Sequence, residues 1–213
     1  MDVARDIKGV MKFFPPKFRI LISRLLFVFA VVLFTEPTVS AGFDEGLVLY
    51  RRGDYAAALK EWRPLAEAGD DKAEHALGVM YERGQGLVQD YKAALSWFAK
   101  AAEQGYAPAE FNLGLMFHQG RGIAQDYKKA LRWFTKAAEQ GYAPAQNMVG
   151  AMFATGQGTP QDDVSAYVWF QLAAANGSQD AIRNRDSIGK RMTRSQIEQA
   201  QGIARDWEAQ KGK

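Results

Sequence analysis

The sequence predicts an all-α fold, an α/α superhelical solenoid of about four helix-hairpin repeats with a C-terminal capping helix. Three observations carry that expectation. Blocks of 36 residues recur without a gap at 73–108, 109–144 and 145–180, and the first two are identical at about two thirds of their positions. Within each block apolar residues return at three- and four-residue spacing, the period of a helix with one buried stripe. Glycines recur at fixed offsets, where a helix has to stop and the chain has to turn.

Residues 1–41 stand apart from this pattern. They hold six Lys/Arg against three acids, so the remaining chain carries 21 of each and the basic balance belongs to the leader. Basic residues, the apolar run LLFVFAVVLF at 25–34 and the small-residue exit Val39-Ser40-Ala41 have the three-part form of a cleavable export signal, with cleavage after Ala41. Ten apolar residues rise only about 15 Å as a helix, half a hydrocarbon core. The rival reading is a retained anchor beginning near Ile20, which requires Arg24 to snorkel. The basic region is long for a signal, which makes Met11 an alternative start. The expected location is periplasmic or secreted, with membrane contact only through the signal before cleavage. The chain has no cysteine, hence neither a disulfide framework nor a lipoprotein acylation site.

Residues 42–72 read as a shorter first hairpin. Asp54-Tyr55, Leu59, Trp62, Leu65, Ala66 and Gly69 each stand 36 residues before an equivalent, but Arg52-Gly53-Asp54 replaces a longer glycine loop. In the three full blocks a first helix, A, stacks Leu77/Met80/Tyr81, Leu113/Met116/Phe117 and Val149/Met152/Phe153 on one face. The pairs Gly84/Gly86, Gly120/Gly122 and Gly156/Gly158 end it. Asp90, Asp126 and Asp162 are placed to cap a second helix, B, by accepting hydrogen bonds from its orphan amides. Helix B turns Leu95, Phe98, Ala101 and Ala102 inward, with Leu131, Phe134, Ala137 and Ala138 as counterparts. Pro108 and Pro144 suit the first turn of the next helix A. After Asp180 the pattern decays, and residues 181–213 read as a helical cap whose last helix starts at Thr193 or Ser195. One such hairpin cannot bury its apolar face alone, so stacking stabilises the array.

The pattern A-x-x-x-L-G-x-M-[YF]-x-x-G-x-G-[LI]-x-Q-D-Y-x-x-A-L-x-W-F-x-K-A-A-E-Q-G resembles the Sel-1-like repeat, a tetratricopeptide-related α/α family, over roughly residues 43–180. The resemblance implies a right-handed superhelix acting as an adaptor or binding scaffold, commonly in bacterial envelopes and the endoplasmic reticulum. It implies no single ligand.

Catalytic and metal-binding patterns are scarce. The two histidines, His75 and His118, fall at different repeat positions, and neither has a second histidine or a carboxylate pair at ligand spacing. Asp70-Asp71 and Asp162-Asp163 read as turn and cap residues without the calcium-loop pattern. No serine lies in a GxSxG setting and thiol nucleophiles are absent. We therefore expect no catalytic residue, no metal and no cofactor. Nucleic-acid binding is disfavoured by the neutral mature chain and the export signal. The recurring Trp97, Trp133 and Trp169 read as packing between hairpins.

Positions three, seven and ten of helix A lie off the apolar seam and vary between repeats. They read His75, Val79, Glu82; Phe111, Leu115, His118; and Asn147, Ala151, Ala154. In this family class helix A usually lines the concave groove, so the expected partner site is His75, Val79, Glu82, Phe111, Leu115, His118, Asn147 and Ala151. Phe111 and Leu115 form its apolar centre, flanked by His75, Glu82 and His118. Phe111 packing on the preceding hairpin is the equal alternative. The expected function is an exported, non-catalytic interaction scaffold for a protein or peptide; the alternative is a polysaccharide- or peptidoglycan-associated envelope factor, including a hydrolase.

Overall fold

The computed structural model describes residues 38–211, and among them every regular element is an α-helix. Four hairpins follow one another: α1 (Thr38–Arg51) with α2 (Tyr55–Glu67), α3 (Asp71–Arg83) with α4 (Tyr91–Glu103), α5 (Ala107–Gln119) with α6 (Tyr127–Glu139), and α7 (Ala143–Thr155) with α8 (Asp163–Ala175). Helices α9 (Gln179–Gly189) and α10 (Arg194–Lys211) complete the chain. Odd-numbered helices up to α9 take the A place, and α9 packs on α7 and α8 while α10 packs on α8. The export signal lies outside the described residues, except that α1 already runs from Thr38, ahead of the expected cleavage point. None of the described helices is long and apolar enough to cross a membrane.

The A helices start two residues before the 36-residue blocks do. Asp70 caps α3, its carboxylate accepting from the Ala73 amide at 2.8 Å. Ahead of α5 and α7 the cap position is Tyr106 or Tyr142 with no side-chain bond, and the proline at the second helical position has no amide to leave orphaned.

The Gln-Asp pair at the end of each glycine loop has a mechanical reason. Gln89 Nε2 donates to the Glu82 carbonyl at 2.7 Å and Gln125 Nε2 to the His118 carbonyl at 2.7 Å, satisfying the open end of the A helix. Asp90 then accepts from the Lys92 and Ala93 amides and starts the B helix. Gly86 is left-handed, at φ 73°, and a Cβ there would stand 2.9 Å from the Tyr55 backbone of the preceding hairpin. Conformation and close approach both demand glycine.

Each repeat is centred on one aromatic ring under one glycine. Phe98, Phe134 and Phe170 are buried, and a Cβ on Gly78, Gly114 or Gly150 would lie 2.5 to 2.7 Å from their ring atoms. Met80, Met116 and Met152 fill the seam between hairpins. In the first hairpin Trp62 takes the phenylalanine's place; it is buried beneath Gly46 and donates from Nε1 to the Phe43 carbonyl at 3.0 Å. Three residues separate α1 from α2 where seven separate α3 from α4. Positions in α1 therefore match α3 at an offset of 32 rather than 36, and Phe43, Leu47 and Tyr50 are the counterparts of His75, Val79 and Glu82.

The cap begins with a reciprocal capping box: Thr193 accepts from the Gln196 amide, while Gln196 Oε1 accepts from the Thr193 amide at 2.8 Å. Ile188, Ala200 and Ala204 close the core, and Trp207 meets Trp169 edge-on at 5.4 Å.

Candidate functional site

The variable positions of successive A helices line up as rungs, because the next A helix runs alongside. At position three His75 bonds Asn112 at 3.0 Å, and Asn147 Oδ1 accepts from Asn184 at 2.9 Å. At position ten Glu82 pairs with Arg121 at 3.3 Å and His118 Nε2 meets Gln157 Oε1 at 3.0 Å. The Tyr50 hydroxyl donates to Gln85 Oε1 at 2.6 Å, extending this row onto α1. The structure thus brings His75, Glu82, His118 and Asn147 into rows that join successive A helices.

Their roles differ from the expected pattern of an apolar centre within a polar ring. Phe111 is half-buried between Phe134, at 5.5 Å, and the edge of Tyr142, at 5.5 Å. Leu115 is likewise half-buried against the core. Glu82 and His118 are occupied by their rung partners rather than free at a rim. Open volume lies instead toward the two ends of the face. Between α1 and α3 a pocket of about 310 Å³ is lined by Phe43, Leu47, Tyr50, Trp62, His75, Val79 and Tyr106, with Lys72 and Ala76 completing it. Between α7 and α9 a pocket of about 220 Å³ is lined by Ala151, Ala154, Asn184, Ser187, Ile188 and Arg191, among others.

The first pocket is walled mainly by apolar side chains. His75 lies tilted against Phe98 at 5.7 Å and edge-on to Tyr106 at 5.3 Å. Burial in this aromatic cage holds its imidazole down at about pKa 4, so it is neutral at physiological pH. Phe43, Leu47 and Tyr50 were missed from sequence because the shortened loop hides their repeat positions. The signal that finds them is Gly46 paired with Trp62, which restores the offset of 32.

A second buried row recurs at the position before each rung. Glu74 accepts from Gln104 at 2.8 Å, Glu110 accepts from Gln140 at 2.8 Å, and Gln146 accepts from Asn176 at 2.9 Å while donating to the Ala138 carbonyl. Burial raises both glutamates above the usual carboxylate range, against the pull of the amide and of Lys100 or Lys136. Each residue ties an A helix to the end of its own B helix or the one before it, which is a structural function. Among the described residues no group of three His, Cys, Asp or Glu could hold a metal ion.

A model of the Sel1 repeat matches at residues 71–106, 107–142 and 143–178, the three full hairpins. The chain belongs to the Sel1 repeat family. Members of this family generally mediate protein–protein interaction and typically serve as non-catalytic scaffolds. A Sel1 repeat protein from Oxalobacter formigenes is 33% identical, with a TM-score of 0.64 over 67% of this chain and 59% of its own. A protective antigen of uropathogenic Escherichia coli strains, displaying an SLR fold, is 28% identical, with a TM-score of 0.57 over 79% of this chain and 45% of its own. The Sel1 chain described here therefore spans only about half to three fifths of these two relatives. A search of the curated proteins found no match.

Proposed function

We propose that this Sel1 repeat protein is an exported, non-catalytic scaffold that binds a protein or peptide partner along its A-helix face. The observation that carries the reading is the pocket between α1 and α3. Its apolar walls and volume suit one large apolar side chain, the usual form of an interface anchor, and the hydrogen-bonded rungs beside it offer polar edges for the partner's backbone. The leader read at residues 1–41 supports a periplasmic or secreted location, which fractionation with signal processing as the readout tests directly.

Leu47→Glu with Val79→Glu should abolish partner capture from envelope extracts while the thermal melt stays close to wild type. Ala151→Glu, in the other pocket, should leave capture intact. Equal loss in both variants, or none in either, would remove the pocket from the binding site. Photocrosslinking from position 79 should yield one adduct that a further Leu47→Glu change removes.

A further inference from the structure

The B helices of the three full repeats carry the same tryptophan in three different settings. On α4, Trp97 is overlaid by Lys100 at 4.1 Å, with Ala93 and Ser96 beside it. On α8, Trp169 has Ser165, Val168 and Leu172 around it and is covered by Trp207 of the cap. On α6, Trp133 is overlaid by Lys136 at 4.3 Å and joined by Lys129 and Arg132, and these four residues line a pocket of about 220 Å³. Lys128, Lys129, Arg132 and Lys136 are all exposed. Lys129 reaches Asp126 at 3.8 Å and lies over the Phe117 ring at 5.5 Å, and Arg132 forms no ion pair among the described residues.

Packing does not require Lys129 or Arg132, because α4 has the same fold with Ala93 and Ser96 at their places, while it keeps Lys92 and Lys100 at those of Lys128 and Lys136. Like charges one turn apart on a helix disfavour it by a few tenths of a kcal/mol each. Lys128, Arg132 and Lys136 are such a series, spaced about 6 Å apart. The same spacing separates carboxylates at every fourth position of a partner helix. A bilayer is the poorer match, since none of the exposed large apolar residues, Val48, Val88 and Ile203, lies on α6 and the Trp133 ring is already covered. We propose that the outer face of α6 is a second docking surface, separate from the A-helix face, for an acidic helical segment of a partner protein, with Arg132 as the free guanidinium that takes its carboxylate.

The probe is a short alanine-based peptide with glutamate at every fourth position, and its all-glutamine version is the control. In NMR titration of the full chain at low salt, shifts should concentrate on the Trp133 indole and α6 amides for the glutamate peptide only. Lys129→Ala with Arg132→Ser, which restores the α4 residues, should weaken binding about tenfold with the melt unchanged or raised. Ala93→Lys with Ser96→Arg should create a second site on α4. Three results would overturn the proposal: undiminished binding by the first variant, shifts confined to the basic residues after Ala181, or tighter α6-dependent binding to heparin or anionic vesicles than to the peptide.

Discussion

The two ends of the A-helix face are built on one backbone and filled with opposite chemistry. Toward the N-terminus the conserved geometry holds titratable groups: Glu74 and Glu110 in the buried row, His75 in the rung, and an apolar pocket beside it. Toward the C-terminus the same places hold Gln146 and Asn147, the pocket mixes Ala151, Ala154, Phe170 and Ile188 with Asn184, Ser187 and Arg191, and Arg191 bridges to Asp163 at 2.7 Å. The difference teaches that the scaffold depends on geometry at these positions and not on charge, which leaves their chemistry open to binding and to pH.

The largest expected effect ignores the difference between the ends. Phe98→Ala and Phe170→Ala should each cost about 3–5 kcal/mol in chemical denaturation, because each empties the centre of a repeat. Unequal losses would mean that the two ends are not equivalent scaffolds.

Next comes His75. Its folded pKa, about 4, lies below the unfolded value of 6.5, so the unfolded chain binds the proton first. Its contribution is present above pH 6.5 and is lost as pH falls through the folded value, on the order of 2–3 kcal/mol across that window. His75→Asn should abolish the loss by rebuilding the Asn147–Asn184 rung, and Asn147→His should install it at the other end. Denaturation at a series of pH values reads both.

The glutamates run the other way. Their folded pKa is raised, so their stability is fullest below the unfolded value near 4.5 and is lost as pH rises through the folded one. Glu110→Gln should therefore raise neutral-pH stability by up to about 1 kcal/mol and remove that pH dependence, whereas Gln146→Glu should create it. A drop on Glu110→Gln would show that charge, not shape, is needed there.

The smallest effect belongs to Arg191→Ala. The exposed Arg191 guanidinium, bonded to the half-buried Asp163, holds that carboxyl below its ordinary range, so its contribution is present at neutral pH and fades on acidification. The melt should change slightly, and added salt should erase the difference.

Much of this was legible in the residues because it is local. Periodicity placed A and B helices, glycine pairs ended them, and aspartates started them, since a cap or a left-handed turn involves neighbours only a few positions apart. The spacing of the variable positions along each A helix was legible for the same reason. The apolar centre at Phe111 and Leu115 was not, because whether a side chain on that face is open or packed depends on the next hairpin's Tyr142 and on Phe134 beneath it.

The sequence by itself therefore determined the repeat, its helices and the family to which the chain belongs, all set by contacts within about one hairpin. Only the tertiary structure decided the pocket between α1 and α3, the rungs that join residues 35 to 39 apart and the bridge from Arg191 back to Asp163. Those depend on how far apart and how rotated successive hairpins stand. That stacking is a sum over many glycine and alanine contacts, which no single window of sequence contains.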